Sequence, residues 1–293
     1  MKPLSKRKRT VYLLVSFLVF IILAPFLILY ARGYRLSEVF KLFPTGGLYV
    51  SVGQSGVNVY LDDEPIKKTN IFQKTVFVQN LKPSEYKVSV SKEGFQGWEK
   101  ILSVYPETVT EVRPFILPEE PILIEVLPTI PSSQNSTSTS ASSSVEIVNP
   151  EYENVSELFT KKSETATTTN NISTSTDKIK TVRKFSIESI DDSLFIKWTG
   201  NLEDVPAYFC QSNICNDEIV IKMAYPIKKF DFFPGRDDLI IVGLLDGIFV
   251  TELDIRSKQN IATLALGDGL DFRVVNGDKI YIRKGKQFFL VSL

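Results

Sequence analysis

Residues 48–61 read LYVSVGQSGVNVYL. Leu48, Val50 and Val52 alternate with Tyr49 and Ser51. After the interruption Gln54-Ser55-Gly56, Val57, Val59 and Leu61 alternate with Asn58 and Tyr60. Side chains of an extended chain point to opposite faces in turn, so a period of two marks a strand with one buried face. Two such strands across a small-residue turn make this part of the chain β. The pattern recurs in EYKVSVSK, where Tyr86, Val88 and Val90 share a face. Turn chemistry separates the strands: Asp62-Asp63-Glu64-Pro65, Lys82-Pro83-Ser84 and Glu93-Gly94. KILSVYPETVTEVRPFIL, residues 100–117, reads as two further strands around Pro106-Glu107. The expectation is one all-β domain over residues 46–118, with no helical period in it.

Upstream lies VYLLVSFLVFIILAPFLILY, residues 11–30, a run without a charge. As a helix rising ~1.5 Å per residue it is ~30 Å long, the thickness of a bilayer's hydrocarbon core. Nothing along it supplies a polar face, as a helix packed on a soluble domain would need. Pro25 is tolerable in a membrane helix and predicts a kink. Tyr12 and Tyr30 stand near the two ends, where aromatic rings favour the interface. The tail before the run holds Lys2, Lys6, Arg7, Lys8 and Arg9 and no acid, whereas Arg32, Arg35 and Lys41 beyond it are diluted by Glu38. That bias predicts a cytoplasmic tail at 1–10, a transmembrane helix at 11–31, and the bulk of the chain outside. The competing reading is a cleaved signal peptide. Its apolar core would be roughly 7–15 residues and would end in a small-x-small site; Leu29-Tyr30-Ala31-Arg32-Gly33 matches that poorly. A tail of about ten residues is too short to fold, which argues for an anchor and against a one-component receptor.

The chain has 293 residues, enough for about two domains beside the anchor. Lys and Arg total 34 and Asp and Glu total 34, so no bulk charge points to nucleic acid. Histidine is absent, which removes the commonest metal ligand and general acid/base and rules out a Ser-His-Asp or Cys-His apparatus. No phosphate loop or dinucleotide fingerprint is present, and no cofactor is expected.

Residues 129–179 break the composition. SSQNSTSTSASSS and TATTTNNISTSTD are close to half Ser and Thr. Such a stretch buries too little surface to offset its ordering entropy, so a disordered linker is expected, with VEIVNPEYENVSELF inside it mildly apolar. Asn135, Asn154 and Asn171 begin Asn-x-Ser/Thr sequons, which arise easily by chance in such a composition.

The stretch 47–117 resembles a PEGA domain, a small β-sandwich module. The matching residues are GLYVSV, SGVNVYLDDEPI, Thr69, NLKPSEYKVSVSKEGFQGWEK and VTEVRPFIL. Departures fall at turns: Gln54-Ser55-Gly56-Val57 for the family's Pro-Gly-Ala, Asp62-Asp63 for Asp-Gly, Asn70 for Pro, and Glu85 for Gly. Lost glycines alter turns rather than the fold. The resemblance implies a β-sandwich, binding or scaffolding at the cell envelope of a prokaryote, and no catalytic residues.

A second β-domain is expected over 180–293. DLIIVGLLDGIFVTEL reads as a hairpin around Asp246-Gly247, and Asn276-Gly277 marks another turn. The strings beginning near Phe230 and Phe272 look alike, with a spacing typical of propeller blades. This part resembles a blade of TolB- or WD-type β-propellers, with FFPGRDDLIIV at the turn. About 110 residues hold two or three blades and a closed ring needs at least four. The expected fold is therefore mainly β: an N-terminal transmembrane helix, a PEGA-like sandwich, and a propeller-like or open β-sheet domain whose last strand leaves an edge for another chain.

Cys210 and Cys215 are the only cysteines. Outside a membrane a close pair reads as a disulfide. Two free thiols are the alternative; two thiolates alone leave a zinc site half filled, and the spacing is not Cys-x-x-Cys. Asp62-Asp63-Glu64, Asp191-Asp192, Asp237-Asp238 and Asp268 with Asp271 lack the spacing of a calcium loop and sit where strands should turn. A paired-carboxylate glycosidase is not selected by any pair. Trp98, Trp198, Phe95 and Tyr208 are either sugar-stacking or core aromatics, and core is the expectation. No metal or catalytic residue is predicted. The expected function is membrane-anchored, extracytoplasmic, non-enzymatic binding or scaffolding, with a cell-wall polymer or an envelope protein as partner. The alternatives are a truncated relative of a propeller protein, or an envelope enzyme or transport-assembly component.

Overall fold

The apolar run forms helix α1, Lys6–Ala31, with Pro25 inside it. In the computed structural model, which describes residues 6–36, 41–130, 147–160, 179–182, 184–211 and 214–293, its large apolar side chains are exposed all round. Among the described residues it is the one helix long and apolar enough to cross a membrane. The rest is mainly β, and the chain divides into two compact units: Met1–Val90 with Ile101–Pro114, and Ser91–Lys100 with Phe115–Leu293.

In the first unit α1 ends at Gly33, whose φ of 87° lies in the left-handed region that a helix terminus favours for glycine. Short strands Tyr34–Leu36 and Leu42–Pro44 pair antiparallel and lead into Gly46–Ser51. That strand is the centre of a three-stranded sheet, between Thr75–Leu81 (antiparallel) and Val109–Val112 (parallel). A Cβ on Gly46 would collide with the Tyr105 carbonyl and the Val104 side chain, so this close approach needs glycine. A four-stranded sheet runs in the order Glu64–Lys68, Asn58–Leu61, Ser84–Ser91, Trp98–Val104; of its last strand, Ile101–Val104 belongs to the first unit and Trp98–Lys100 to the second. The alternation read from the sequence holds: Leu48, Val50, Val52, Val57, Val59, Leu61, Val88 and Val90 are all buried. Tyr86 is only half-buried, because its hydroxyl turns out to the Lys82 carbonyl.

The altered turns are accommodated by side chains. Asp62 and Asp63 both take left-handed φ, 51° and 65°, as a two-residue hairpin turn requires. Asp62 Oδ1 accepts from the Lys87 N–H at 2.8 Å, and Lys87 Nζ lies 3.0 Å from Asp63. Thr69 is buried; its hydroxyl donates to the Gln54 carbonyl and accepts from the Val57 N–H, both at 2.9 Å.

Among its described residues the second unit holds three four-stranded antiparallel sheets. The first is Ile179–Val182, Phe185–Ile190, Ser193–Trp198 and Glu218–Lys222. The second is Lys229–Phe232, Leu239–Gly243, Gly247–Glu252 and Ile261–Leu266, with the expected hairpin before Gly247. The third is Leu270–Val275, Lys279–Lys284, Gln287–Ser292 and, from far earlier in the chain, Ile122–Glu125. The last strand is therefore not the open edge anticipated: Ile122 pairs with Ser292 and Glu125 with Phe289. No barrel or propeller closes among the described residues; the open β-sheet alternative is the one seen. Phe185, Ile196, Phe209, Phe232, Val242 and Leu253 belong to one buried cluster joining the first two sheets.

The Ser/Thr-rich span differs from expectation at its middle. Residues 131–146 and 161–178 lie outside the described residues, but Pro150–Thr160 forms helix α2. Asn149 caps it by accepting from the Glu151 N–H at 3.0 Å, and Glu151 and Glu153 occupy its first turn. Val155 and Phe159 are buried in a cluster with Val126, Tyr281 and Phe288, and Tyr152 packs beside them. Spacings of three and four put Tyr152, Val155 and Phe159 on one helical face, and burying that face offsets the ordering cost that composition alone suggested.

Candidate functional site

Two constellations stand out. The first, in the first unit, fixes the end of α1. Thr45 donates its hydroxyl (2.5 Å) and its N–H (3.0 Å) to the Gly33 carbonyl. Arg32 lies 3.8 Å from Glu107, and Glu107's backbone N–H donates to the Thr45 carbonyl at 2.9 Å. The Glu107 carboxylate accepts from Tyr34, and that hydrogen bond, more than its charge, raises the Tyr34 pKa. The Arg35 guanidinium sits 4.0 Å from the centre of the Tyr30 ring and donates to the Tyr30 carbonyl. The apolar helix thus passes into β-structure through a short, hydrogen-bonded joint.

The second, in the second unit, is a buried polar cluster around Lys100. In WEKILSV, Trp98, Lys100, Leu102 and Val104 are the buried positions, so a lysine occupies an inward place on a strand. Its ammonium is fully buried, 2.7 Å from Glu252 Oε1, 2.7 Å from the Asp254 carbonyl and 3.6 Å from Asp254 Oδ1. The Trp98 indole N–H donates to Glu252 Oε2 at 2.9 Å. Asn260 donates both its backbone N–H and its amide Nδ2 to Glu252 Oε1 at 2.8 Å. Arg256 grips Asp254 with two parallel bonds of 2.9 and 2.7 Å, the fork geometry that suits guanidinium and carboxylate. Around this cluster Gln96 exchanges two bonds of 2.8 Å with the Thr263 backbone, and Asn260 exchanges two with the backbone of Glu99. Each of these buried polar side chains is paired and hydrogen-bonded, which offsets the cost of taking it out of water.

None of these residues except Trp98 was singled out by sequence. The signal was present: Glu252 and Asp254 alternate through the otherwise apolar GIFVTELD, and Lys100 interrupts an apolar face. Of the four aromatics, Trp98 and Trp198 are buried, and Phe95 and Tyr208 are partly so. The Trp198 indole donates to the Asn201 carbonyl.

Cys210 and Cys215 are bonded as a disulfide across the small pair Cys210–Gln211 and Ile214–Cys215, with Cα atoms 4.0 Å apart. The 3-10 turn before them drives Phe209 into the core. Beside this loop a cleft of about 420 Å³ is lined by Asn216, Glu218, Val220, Ile255, Ser257 and Gln259, among others, with one carboxylate. The acidic clusters lie apart. Asp191 takes a left-handed turn φ of 52°, Asp238 binds Arg236, and Asp271 is ringed by Lys229, Arg273 and Arg283. Among the described residues no group of three His, Cys, Asp or Glu is placed to hold a metal.

Residues 45–115 match the PEGA domain, within two residues of the bounds read from the sequence. No curated protein matches the chain. A PEGA match beginning at Thr45, downstream of an apolar helix, fits a membrane-anchored envelope protein.

Proposed function

We propose that this protein is a non-enzymatic scaffold or binding protein held at the outer face of a cell membrane by α1. The reading rests above all on the joint at Gly33 and Thr45. A helix exposed and apolar on every side is tied at its end, through the backbone and side-chain bonds of Thr45 to Gly33, to the first residue of the PEGA-matched module. Such a joint positions the module rather than leaving it on a loose leash. The excess of Lys and Arg ahead of the apolar run, Lys2 and the first turn of α1 from Lys6 to Arg9, favours its start in the cytoplasm. The partner is a wall polymer or another envelope protein. Detergent-solubilised full chain incubated with wall fractions and with solubilised envelope proteins tests this. Retention by either, above an α1-only control, supports it; retention by neither contradicts it.

A second reading makes the chain a relative of propeller proteins with an open array of sheets. It is favoured by three successive four-stranded antiparallel sheets, the third completed by Ile122–Glu125. It too is a binding function, and it places the contact on the sheets of the second unit.

A further inference from the structure

We propose that the Lys100 cluster is a self-modifying site, in which the Lys100 amine and the Asn260 side-chain amide join as an intramolecular isopeptide bond with Glu252 as acid/base. Three features carry this. Lys100 Nζ and Asn260 Nδ2 both hydrogen-bond to one oxygen, Glu252 Oε1, at 2.7 and 2.8 Å, so the two nitrogens lie within about 5.5 Å of each other. The Asn260 carbonyl oxygen, Oδ1, accepts from the Glu99 backbone N–H at 3.3 Å, the position of a donor that stabilises a developing oxyanion. Lys100 and Glu252 are shielded from water, and the Trp98 indole holds the far carboxylate oxygen in place. Glu252 Oε1 is within hydrogen-bond reach of both nitrogens, so one carboxylate can take a proton from Nζ and return one to Nδ2.

The step balances without a co-reactant. Glu252 removes a proton from the Lys100 ammonium. The freed Nζ attacks Asn260 Cγ, and charge develops on Oδ1 against the Glu99 N–H. The Cγ–Nδ2 bond breaks as Glu252 hands its proton to Nδ2, and the departing ammonia carries off the second proton of Nζ as ammonium. One C–N bond forms and one breaks, and nothing is oxidised or reduced. Asp254 is the less apt acceptor, because two bonds from Arg256 already occupy both oxygens of its carboxylate. The bond would join Lys100 to Asn260 within the second unit, closing a long covalent loop in the chain.

The test is the mass of the purified full chain, followed by digestion with trypsin and fragmentation. The expected result is a chain lighter by one ammonia beyond the loss due to its disulfide. Cleavage after Lys100 should be blocked, and peptide 93–161, uncut at Arg113 because Pro114 follows it, should be joined to peptide 259–273 through Lys100 and Asn260. Glu252→Ala and Lys100→Arg should each restore the full mass. The wild-type measurement decides alone if those variants fail to fold. An unlinked wild-type chain overturns the proposal, as does loss of one water with the link at Asp254.

Discussion

Lys100 Nζ lies 2.7 Å from Glu252 Oε1, with side-chain exposures of 0% and 5%. They are 152 positions apart in the chain and meet inside the second unit. Pairing them offsets the cost of burying both, and removing either partner takes away the other's nearest opposite charge.

Glu252→Gln keeps the shape and removes the charge. Lys100 then keeps only Asp254 as an anionic partner, at 3.6 Å. The expected loss is about 3–5 kcal/mol of stability in urea unfolding of the solubilised chain. Glu218→Gln, on an exposed strand position, should stay within about 0.5 kcal/mol of wild type.

Thr251, beside Glu252, is fully buried, and its hydroxyl has no hydrogen-bond partner. Thr251→Val replaces that hydroxyl by a methyl of the same shape. The expected outcome is a gain of about 1 kcal/mol, read as a higher urea midpoint.

Helix α2 depends on the face made by Tyr152, Val155 and Phe159. Phe159 is buried, tilted against Phe288 at 5.4 Å, with Arg273 and Arg283 over its ring at 5.4 and 5.3 Å. Phe159→Ala should weaken docking by about 3–5 kcal/mol. Hydrogen exchange should show α2 amides losing protection while strand Leu239–Gly243 keeps it.

The Tyr281 hydroxyl donates to Glu151 Oε1 at 2.6 Å. Burial first, and then that bond to a carboxylate, push its pKa well above the usual tyrosine value. A folded-state pKa raised above the unfolded one means the protonated form is favoured in the folded state. The contribution is therefore complete below the unfolded pKa near 10 and is lost as pH rises beyond it. Exchange of α2 amides, corrected for intrinsic rate, should accelerate above pH 10 in wild type, and the same pH dependence should be weaker in Tyr281→Phe.

Much of this was legible in the residues. Alternation located the strands, because burial on one face imposes a period of two. The PEGA module was readable from VYLDD and YKVSVSKEGF, although Asp62-Asp63 stands where glycine is usual; two left-handed aspartates, one bonded to the Lys87 backbone, serve the turn. Helix α2 was hidden by its Ser/Thr-rich flanks, although Asn149-Pro150 is a good helix start and Tyr152, Val155 and Phe159 recur at helical spacing. The pairing of Ile122–Glu125 with Gln287–Ser292 was not readable, since nothing local says which distant strand will cover an edge. The members of the Lys100 cluster left a local signal, but their pairing did not: one lysine on an apolar face shows that a partner exists, not that it is Glu252.

The central claim is that α1 stays in the membrane and holds the β-units outside. A chain tagged at both ends, in intact cells treated with external protease, tests it most directly. The account predicts loss of the C-terminal tag, survival of the N-terminal tag until the membrane is permeabilised, and retention in the membrane pellet at alkaline pH. A C-terminal tag protected in intact cells, or release of the chain at alkaline pH, would contradict it.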